Sequence, residues 1–427
     1  MPENPTFAIH TLGCRANQAE SERMRDILVS AGFAEVAFGQ PADCQVVNTC
    51  TVTREADRKS RQMIRRALRL SPTVVATGCA VADRGGVKNL PGTALRLPPE
   101  RTEELLSLLG AERCPATELV ERETLATRTR ALLKVQDGCD QFCSFCIVPY
   151  VRGRSRSRPV AEVVEEARRL EQQGYQEIVL TGIHLSIWGH DLEGAPDLAD
   201  LVEAILTATE RPRIRLSSVE PDRFPARIFE LMTQASGRLC PHLHLVLQHA
   251  SDVVLERMRR GYTLAHYRGL VDEFFQRVPD ACLTTDLMVG FPGETDQDFA
   301  CLMDYVRQTP FYRVHVFPYS LRPGTTASKF SDQVEPAVKN HRRDRLLRLV
   351  EKKRVEFLRA NYGRTARVLV ETVERPGWVK GVSHNYLNVA FRGGPRLLGR
   401  TLDVRLERRR KDLLVGSLVG EDFPRPH

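Results

Sequence analysis

The chain has 427 residues, 42% of them hydrophobic and 27% charged, and a formal net charge of +8. That length exceeds one compact core and implies two or three domains, and the composition is that of a globular protein, not a fibrous or disordered one. No apolar run approaches the ~20 residues of a membrane helix, and Met1-Pro-Glu-Asn-Pro5 lacks the charged-then-apolar layout of a signal peptide. A cytoplasmic protein without a membrane partner is therefore expected. In that compartment eleven cysteines point to metal or catalysis before disulfides. The positive balance admits a polyanionic partner.

Residues 7–12, 44–48 and 73–77 read as strands, alternating with helices over 18–31, 54–70 and 100–109, the first of them capped by Asn17. Strands separated by helices of this length imply a parallel, doubly wound α/β sheet. One cysteine follows each strand: Cys14 after Thr11-Leu-Gly, Cys50 after Val47-Asn-Thr and Cys79 after Ala76-Thr-Gly. Carboxyl ends of parallel strands share one edge, where ligands bind. Three thiolates far apart in sequence are thus expected to meet. A single cysteine so placed is more often a core residue, but the repetition points to an iron–sulfur site. Cys44 and Cys114 lack that placement and read as structural.

From about residue 130 a longer series begins, with strands at 131–135, 177–181, 213–217, 242–248, 282–289 and 313–319. The helices between them fall at 160–173, 198–209, 225–235, 264–277 and 296–307. Six strand–helix repeats with right-handed crossovers curl into an incomplete barrel whose active site lies at the carboxyl ends of the strands. Immediately after its first strand come Cys139, Cys143 and Cys146, spaced C-x3-C-x2-C. Iron–sulfur clusters are usually tied by four thiolates. Three leave one iron open, and an open position marks a working site. Half of a zinc site and cysteines packed in a core are the alternatives, although Cys240, Cys282 and Cys301 are too isolated to supply a second zinc pair. On the same face Gly182 would let backbone approach a ligand, and Glu220 would accept hydrogen bonds from a ribose or an ammonium. Gln248 ends the fourth strand, and Gly290-Phe-Pro-Gly-Glu294 after the fifth reads equally as a tight turn. His184, His242, His244 and His249 show no metal spacing and receive no ligand role.

Residues 334–361 form a long basic helix with apolar positions at helical spacing, so one face packs and the charged face is solvated. Beyond it, short strands at 365–372, 378–382, 387–391, 402–406 and 413–418 suggest a small barrel. Its run Arg408-Arg-Arg-Lys411 fits an electrostatic track for a nucleic-acid backbone.

The loop from Cys139 to Cys146, with Phe145 before the last cysteine, resembles the signature of the radical S-adenosylmethionine superfamily. The resemblance implies a [4Fe–4S] cluster on Cys139, Cys143 and Cys146, the catalytic cysteines. The open iron would chelate S-adenosylmethionine, and electron transfer would yield a 5′-deoxyadenosyl radical. Phe145 would lie beside that cofactor, with Gly182, Glu220 and Gln248 in its wall.

Preceded by three further cysteines, the loop resembles more narrowly that of the methylthiotransferases. Gly13-Cys-Arg-Ala-Asn-Gln-Ala-Glu-Ser21, Val47-Asn-Thr-Cys-Thr-Val-Thr53, Ala56-Asp-Arg-Lys-Ser-Arg-Gln62 and Gly153-Arg-Ser-Arg-Ser-Arg158 are similar to the branch that modifies N6-threonylcarbamoyladenosine at position 37, in the anticodon loop of tRNA. One departure is Cys79-Ala-Val-Ala-Asp83, which lacks the Tyr/Ala-Ala-Gln run often found after the third cysteine. The resemblance implies a second [4Fe–4S] cluster on Cys14, Cys50 and Cys79 that carries sulfur, and a methylthio group placed on C2 of the adenine. It also implies a low-potential electron donor and a sulfur source as partners. The last segment resembles the RNA-binding TRAM domain. Three units are expected: 1–115 with the auxiliary cluster, 125–355 as the radical core, and 360–427 as the small β-barrel.

Overall fold

The structure, a computed structural model, describes residues 5–81, 90–92, 94–111, 129–235 and 237–420; Cys114 and the expected boundary between 115 and 125 lie outside them. Five parallel strands form the first sheet, in the order Ala34–Glu35, Thr6–Thr11, Cys44–Thr49, Thr73–Gly78, Leu95–Arg96. Counted along the chain that order is 2-1-3-4-5. It reverses between Thr6–Thr11 and Cys44–Thr49, and such a switch point opens a crevice at the carboxyl edge. Val46, Val47, Val74 and Val75 are all buried, because helices cover both faces of a parallel sheet.

The first helix, Arg15–Ser30, starts earlier than the expected 18–31 and has Cys14, not Asn17, at its N-cap. Asn17 is buried instead, its amide donating to the carbonyls of Leu12 and Thr49, each at 2.8 Å. A long-range demand for hydrogen bonds has outranked a local capping preference. The stretch expected as one helix over 100–109 is a 3₁₀ segment, Pro99–Glu104, kinked at Arg101, followed by a short helix, Leu105–Leu108, with Glu104 outside helical dihedrals between them.

Six parallel strands follow in sequential order: Arg130–Lys134, Glu177–Thr181, Arg213–Leu216, His242–Leu245, Cys282–Val289 and Phe311–Pro318. They pair as two groups. The chain bends at Ser217, so that Ser218–Val219 pairs with the fourth strand, and a bridge from Ile214 to Leu239 links the groups. Helices Val160–Gln172, Leu198–Ala208, Arg227–Gln234, Leu264–Arg277 and Asp296–Gln308 supply the outer layer. Their apolar faces meet the strands in one core that contains Trp188, Phe229 and Phe274. This is the incomplete barrel expected from the repeats. Asp197 and Thr295 each close a reciprocal capping box. Asp197→Ala is expected to cost about 1 kcal/mol of stability, measured as a lowered denaturation midpoint with unchanged cooperativity.

The long helix runs Pro336–Ala360, two residues inside the expected 334, because Pro336 fits the first turn, where its missing N–H is no loss. Strands Thr365–Arg375, Trp378–Ser383, Asn388–Arg392, Thr401–Arg410 and Leu413–Leu418 then close into a barrel. Two buried arginines of the third of the six parallel strands, Arg213 and Arg215, dock it. Arg213 Nη2 donates to the Val382 carbonyl at 2.9 Å, and Arg215 donates to the carbonyls of Ser383 and His384, each at 3.1 Å. Glu177 neutralises both, at 2.6 and 2.9 Å. Burial alone would raise its pKa, but Arg215 and then Arg213 override that and hold the carboxyl well below the ordinary range. Among the described residues no helix is long and apolar enough to cross a membrane.

Candidate active site

The cluster loop is a turn that few residues other than glycine could start. Gly138 has φ +73°, and an added Cβ would lie 1.9 Å from the Arg154 carbonyl oxygen. The Cys139 N–H donates to the Gly153 carbonyl at 3.1 Å, closing the loop on itself. Each sulfur then has an N–H aimed at it: Gln141 N at 3.5 Å from Cys139 Sγ, Arg260 Nη1 at 3.3 Å from Cys143 Sγ, and Val148 N at 3.4 Å from Cys146 Sγ. Donors converging on sulfur suit thiolate anchors and tune a cluster's potential. They are unneeded by thiols packed in a core. Burial pushes the Cys139 thiol up to about 11 and the Cys146 thiol up to about 12, so the free loop holds its protons. A single ion needs sulfurs on a ~2.3 Å radius, and no three candidate ligands among the described residues are drawn that tightly together.

Sheet register aligns Thr11 with Asn48 and Asn48 with Thr77, so Cys14, Cys50 and Cys79 leave the sheet at one edge. Gly13 shows how close they come: a Cβ there would stand 3.0 Å from Cys50 Cβ and 3.2 Å from its Sγ. Burial raises the Cys50 thiol, and it raises the Cys79 thiol to about 12. The charge of Cys14 adds to both shifts, and Arg152 opposes both. Cys14 is exposed, whereas Cys50 and Cys79 are buried. The three sulfurs, one open to the crevice and two shielded, fit a cluster held at the sheet edge.

Arg152 joins the two trios. It ends the short helix Val148–Arg152 directly after the cluster loop, and its side chain is fully buried. Its Nε donates to Cys79 Sγ at 3.2 Å, and its Nη2 donates to Asn17 Oδ1 at 2.5 Å and Glu20 Oε2 at 3.2 Å. Its Nη1 pairs with Glu20 Oε1 and, at 3.2 Å, with Asp137 Oδ2. Lys134 completes the network on the same two carboxylates, at 2.5 and 2.6 Å.

The other expected site residues fall at the same face in different ways. Gly182 is required by protein before ligand, since a Cβ there would meet Gln136 Oε1 at 2.9 Å. Gln136 stitches that face together, accepting from the amides of Ile183 and His184 at 2.9 Å each and donating to the Gly138 carbonyl at 2.7 Å. Glu220 is ion-paired with the guanidinium of Arg260, the same group that donates to Cys143. Gln248 lies beyond the fourth strand in left-handed backbone, φ +66°, and its buried Oε1 has no hydrogen-bond partner. Strain and an orphaned acceptor at a strand end are marks of a ligand site. Phe145 packs edge-on to Phe291, centroids 6.5 Å apart, in a cluster with Met258 and Met288. The Gly290–Gly293 stretch is turn chemistry, with Glu294 Oε2 accepting from the Gly290 amide at 2.6 Å. Burial raises the Glu294 carboxyl to about 7 although Arg342 pulls it down.

A cavity of about 370 Å³ opens beside Cys14, lined by Cys14, Arg15, Gly182, Asp286, Arg313 and Tyr386 among others. Three residues there escaped the sequence reading. Tyr386, φ +70°, reaches in from the C-terminal barrel and stacks on His242 at 4.1 Å. Arg15 Nη2 donates to its hydroxyl at 2.9 Å, and the Arg313 guanidinium lies 5.8 Å from its ring centroid. Arg152, Arg260 and Gln136 escaped as well.

Residues 133–306 match the radical SAM superfamily, and residues 6–90 match uncharacterized protein family UPF0004. A threonylcarbamoyladenosine tRNA methylthiotransferase of Bacillus subtilis (strain 168) is 36% identical over 423 residues, covering 94% of this chain and 93% of that protein. One from Chlamydia pneumoniae is 35% identical over 420 residues, covering 97% and 98%. A tRNA-2-methylthio-N(6)-dimethylallyladenosine synthase of Pelotomaculum thermopropionicum is 33% identical over 436 residues, covering 96% and 97%. Among solved structures, the radical S-adenosylmethionine methyltransferase TsrM of Kitasatospora setae matches with a TM-score of 0.50 at 16% identity, covering 87% of this chain and 79% of that one. That likeness concerns the fold.

Proposed function

Because this chain belongs to the tRNA methylthiotransferases built on a radical S-adenosylmethionine core, we propose that it places a methylthio group on C2 of N6-threonylcarbamoyladenosine in tRNA. The observation that carries the reading is the link between the two cysteine trios through Arg152, which follows one trio along the chain and donates to Cys79 of the other. On this reading Cys139, Cys143 and Cys146 hold the reductive [4Fe–4S] cluster, with Phe145, Gly182, Glu220 and Gln248 about S-adenosylmethionine. Cys14, Cys50 and Cys79 hold the auxiliary one. When bound, these groups supply the electron, the 5′-deoxyadenosyl radical, the sulfur and the methyl group.

The chain's own residues do the rest. Arg260, anchored on Glu220, fixes the Cys143 sulfur, and Gln136 sets the loop after the second strand against the cluster loop. Arg152 keeps the auxiliary site in register with the radical site. The three units 1–115, 125–355 and 360–427 are assigned to sulfur delivery, radical formation and RNA binding. A base in an anticodon loop can be splayed from its stack into such a pocket, and exposed Arg408, Arg410 and Lys411 offer charge to the backbone. A low-potential electron donor, a sulfur source and a cytoplasmic setting complete the proposal.

Nucleoside analysis tests it. Bulk tRNA from a deletion strain is expected to lose 2-methylthio-N6-threonylcarbamoyladenosine and accumulate the unthiolated nucleoside, with restoration by the intact gene. Unchanged methylthio-threonylcarbamoyladenosine together with lost methylthio-dimethylallyladenosine would transfer the chain to the other branch.

A further inference from the structure

The wall of the cavity beside Cys14 has an uneven chemistry. It includes no Val, Leu, Ile, Met or Phe side chain. It carries two guanidinium groups instead. Arg15, the residue after Cys14, holds its Nη2 on the Tyr386 hydroxyl, and Arg313 lies over the rings of Tyr312 and Tyr386, at 4.9 and 5.8 Å. Among the described residues neither has a carboxylate within 4.0 Å, although most arginines near the barrel do. The acid in the wall, Asp286, is already engaged by His244 Nε2 at 3.4 Å and His315 Nδ1 at 3.6 Å. Ser217, also in the wall, has a buried hydroxyl with no hydrogen-bond partner. Two guanidiniums without a carboxylate partner of their own, in a recess beside Cys14, call for an anion brought by the ligand.

We propose that Arg15 and Arg313 form the subsite for the carboxylate of the threonyl arm, and so select N6-threonylcarbamoyladenosine over bases with an apolar or absent arm. The inference rests on the functional reading above and adds to it the residues that read the substrate. Two guanidiniums can grip a carboxylate with paired hydrogen bonds, a geometry an ammonium does not reproduce. Tyr386 sets the spacing between them from the C-terminal barrel.

The test uses the full-length, cluster-loaded protein and three synthetic anticodon stem-loops: one bearing N6-threonylcarbamoyladenosine, one its methyl ester, and one plain adenosine. Anisotropy gives the Kd of each, and mass spectrometry follows methylthiolation. Wild type is expected to bind the free acid about tenfold or more tightly than the ester, as for a desolvated charge pair. Arg313→Gln and Arg15→Gln should each shrink that ratio, the double variant should abolish it, and Arg313→Lys should restore part of it. Cluster absorbance and melting temperature verify that each variant is folded. A double variant that still prefers acid over ester by the wild-type ratio overturns the subsite while leaving the activity standing. A wild type that methylthiolates none of the three overturns the parent reading, and the subsite with it.

Discussion

Arg152→Leu is expected to lower the stability of the folded chain by roughly 3–5 kcal/mol, the cost of breaking a buried ion network from one side. Its guanidinium is the only cation reaching Glu20, Asp137, Asn17 and Cys79 together among the described residues, and its side chain has no access to solvent. Leucine would leave Glu20 and Asp137 buried with Lys134 alone. Asp137 has the same dependence in its ionisation. Burial would raise it, but Lys134 and then Arg152 hold it below its ordinary value. A depressed carboxyl stabilises the fold above its unfolded pKa of 3.8, and loses that contribution as pH falls towards its folded value. The variant should therefore unfold at lower temperature at neutral pH, and its iron content after reconstitution should fall by about half as the auxiliary site loosens. Arg152→Lys should recover part of the stability, since lysine keeps the charge without the three-way fork. Wild-type melting and full iron in Arg152→Leu would show that the two trios are independent of this residue.

Cys50→Ala and Cys146→Ala should separate the two halves of the reaction. Cys50 is a buried ligand candidate on the sheet edge, and its backbone is held by Ser60, which donates to the Cys50 carbonyl at 2.7 Å and accepts from its amide at 3.0 Å. Alanine preserves both bonds, so the fold should persist. Reductive cleavage of S-adenosylmethionine to 5′-deoxyadenosine is expected to continue in Cys50→Ala while methylthiolation falls below detection. In Cys146→Ala both should vanish. Retained methylthiolation in Cys50→Ala would remove Cys50 from the auxiliary site, and retained 5′-deoxyadenosine in Cys146→Ala would remove Cys146 from the radical site.

The placement of both trios was legible because it depends on local pattern. A strand followed by a cysteine, repeated three times in a parallel sheet, forces Cys14, Cys50 and Cys79 to one edge. The six barrel strands were legible for the same reason, being short runs rich in Leu, Ile, Val and Phe separated by amphipathic helices. Residues whose partners lie far along the chain were not. Asn17 looks like a cap until Thr49, thirty-two residues away, supplies a carbonyl for its amide. Arg152 looks like part of a solvated basic run until Glu20 and Cys79 bury it. Tyr386 sits in a turn between two barrel strands, and nothing near it in sequence announces the cavity that it enters.

That tyrosine changes what the C-terminal barrel is. A module that merely tethers RNA could be trimmed away to leave a working core. Here the trimmed core would lack part of a cavity wall. On the proposed reading, the gap left over His242 would open the cavity to water and reductant during the radical step. A chain shortened after the long helix should therefore squander S-adenosylmethionine as well as losing its grip on tRNA.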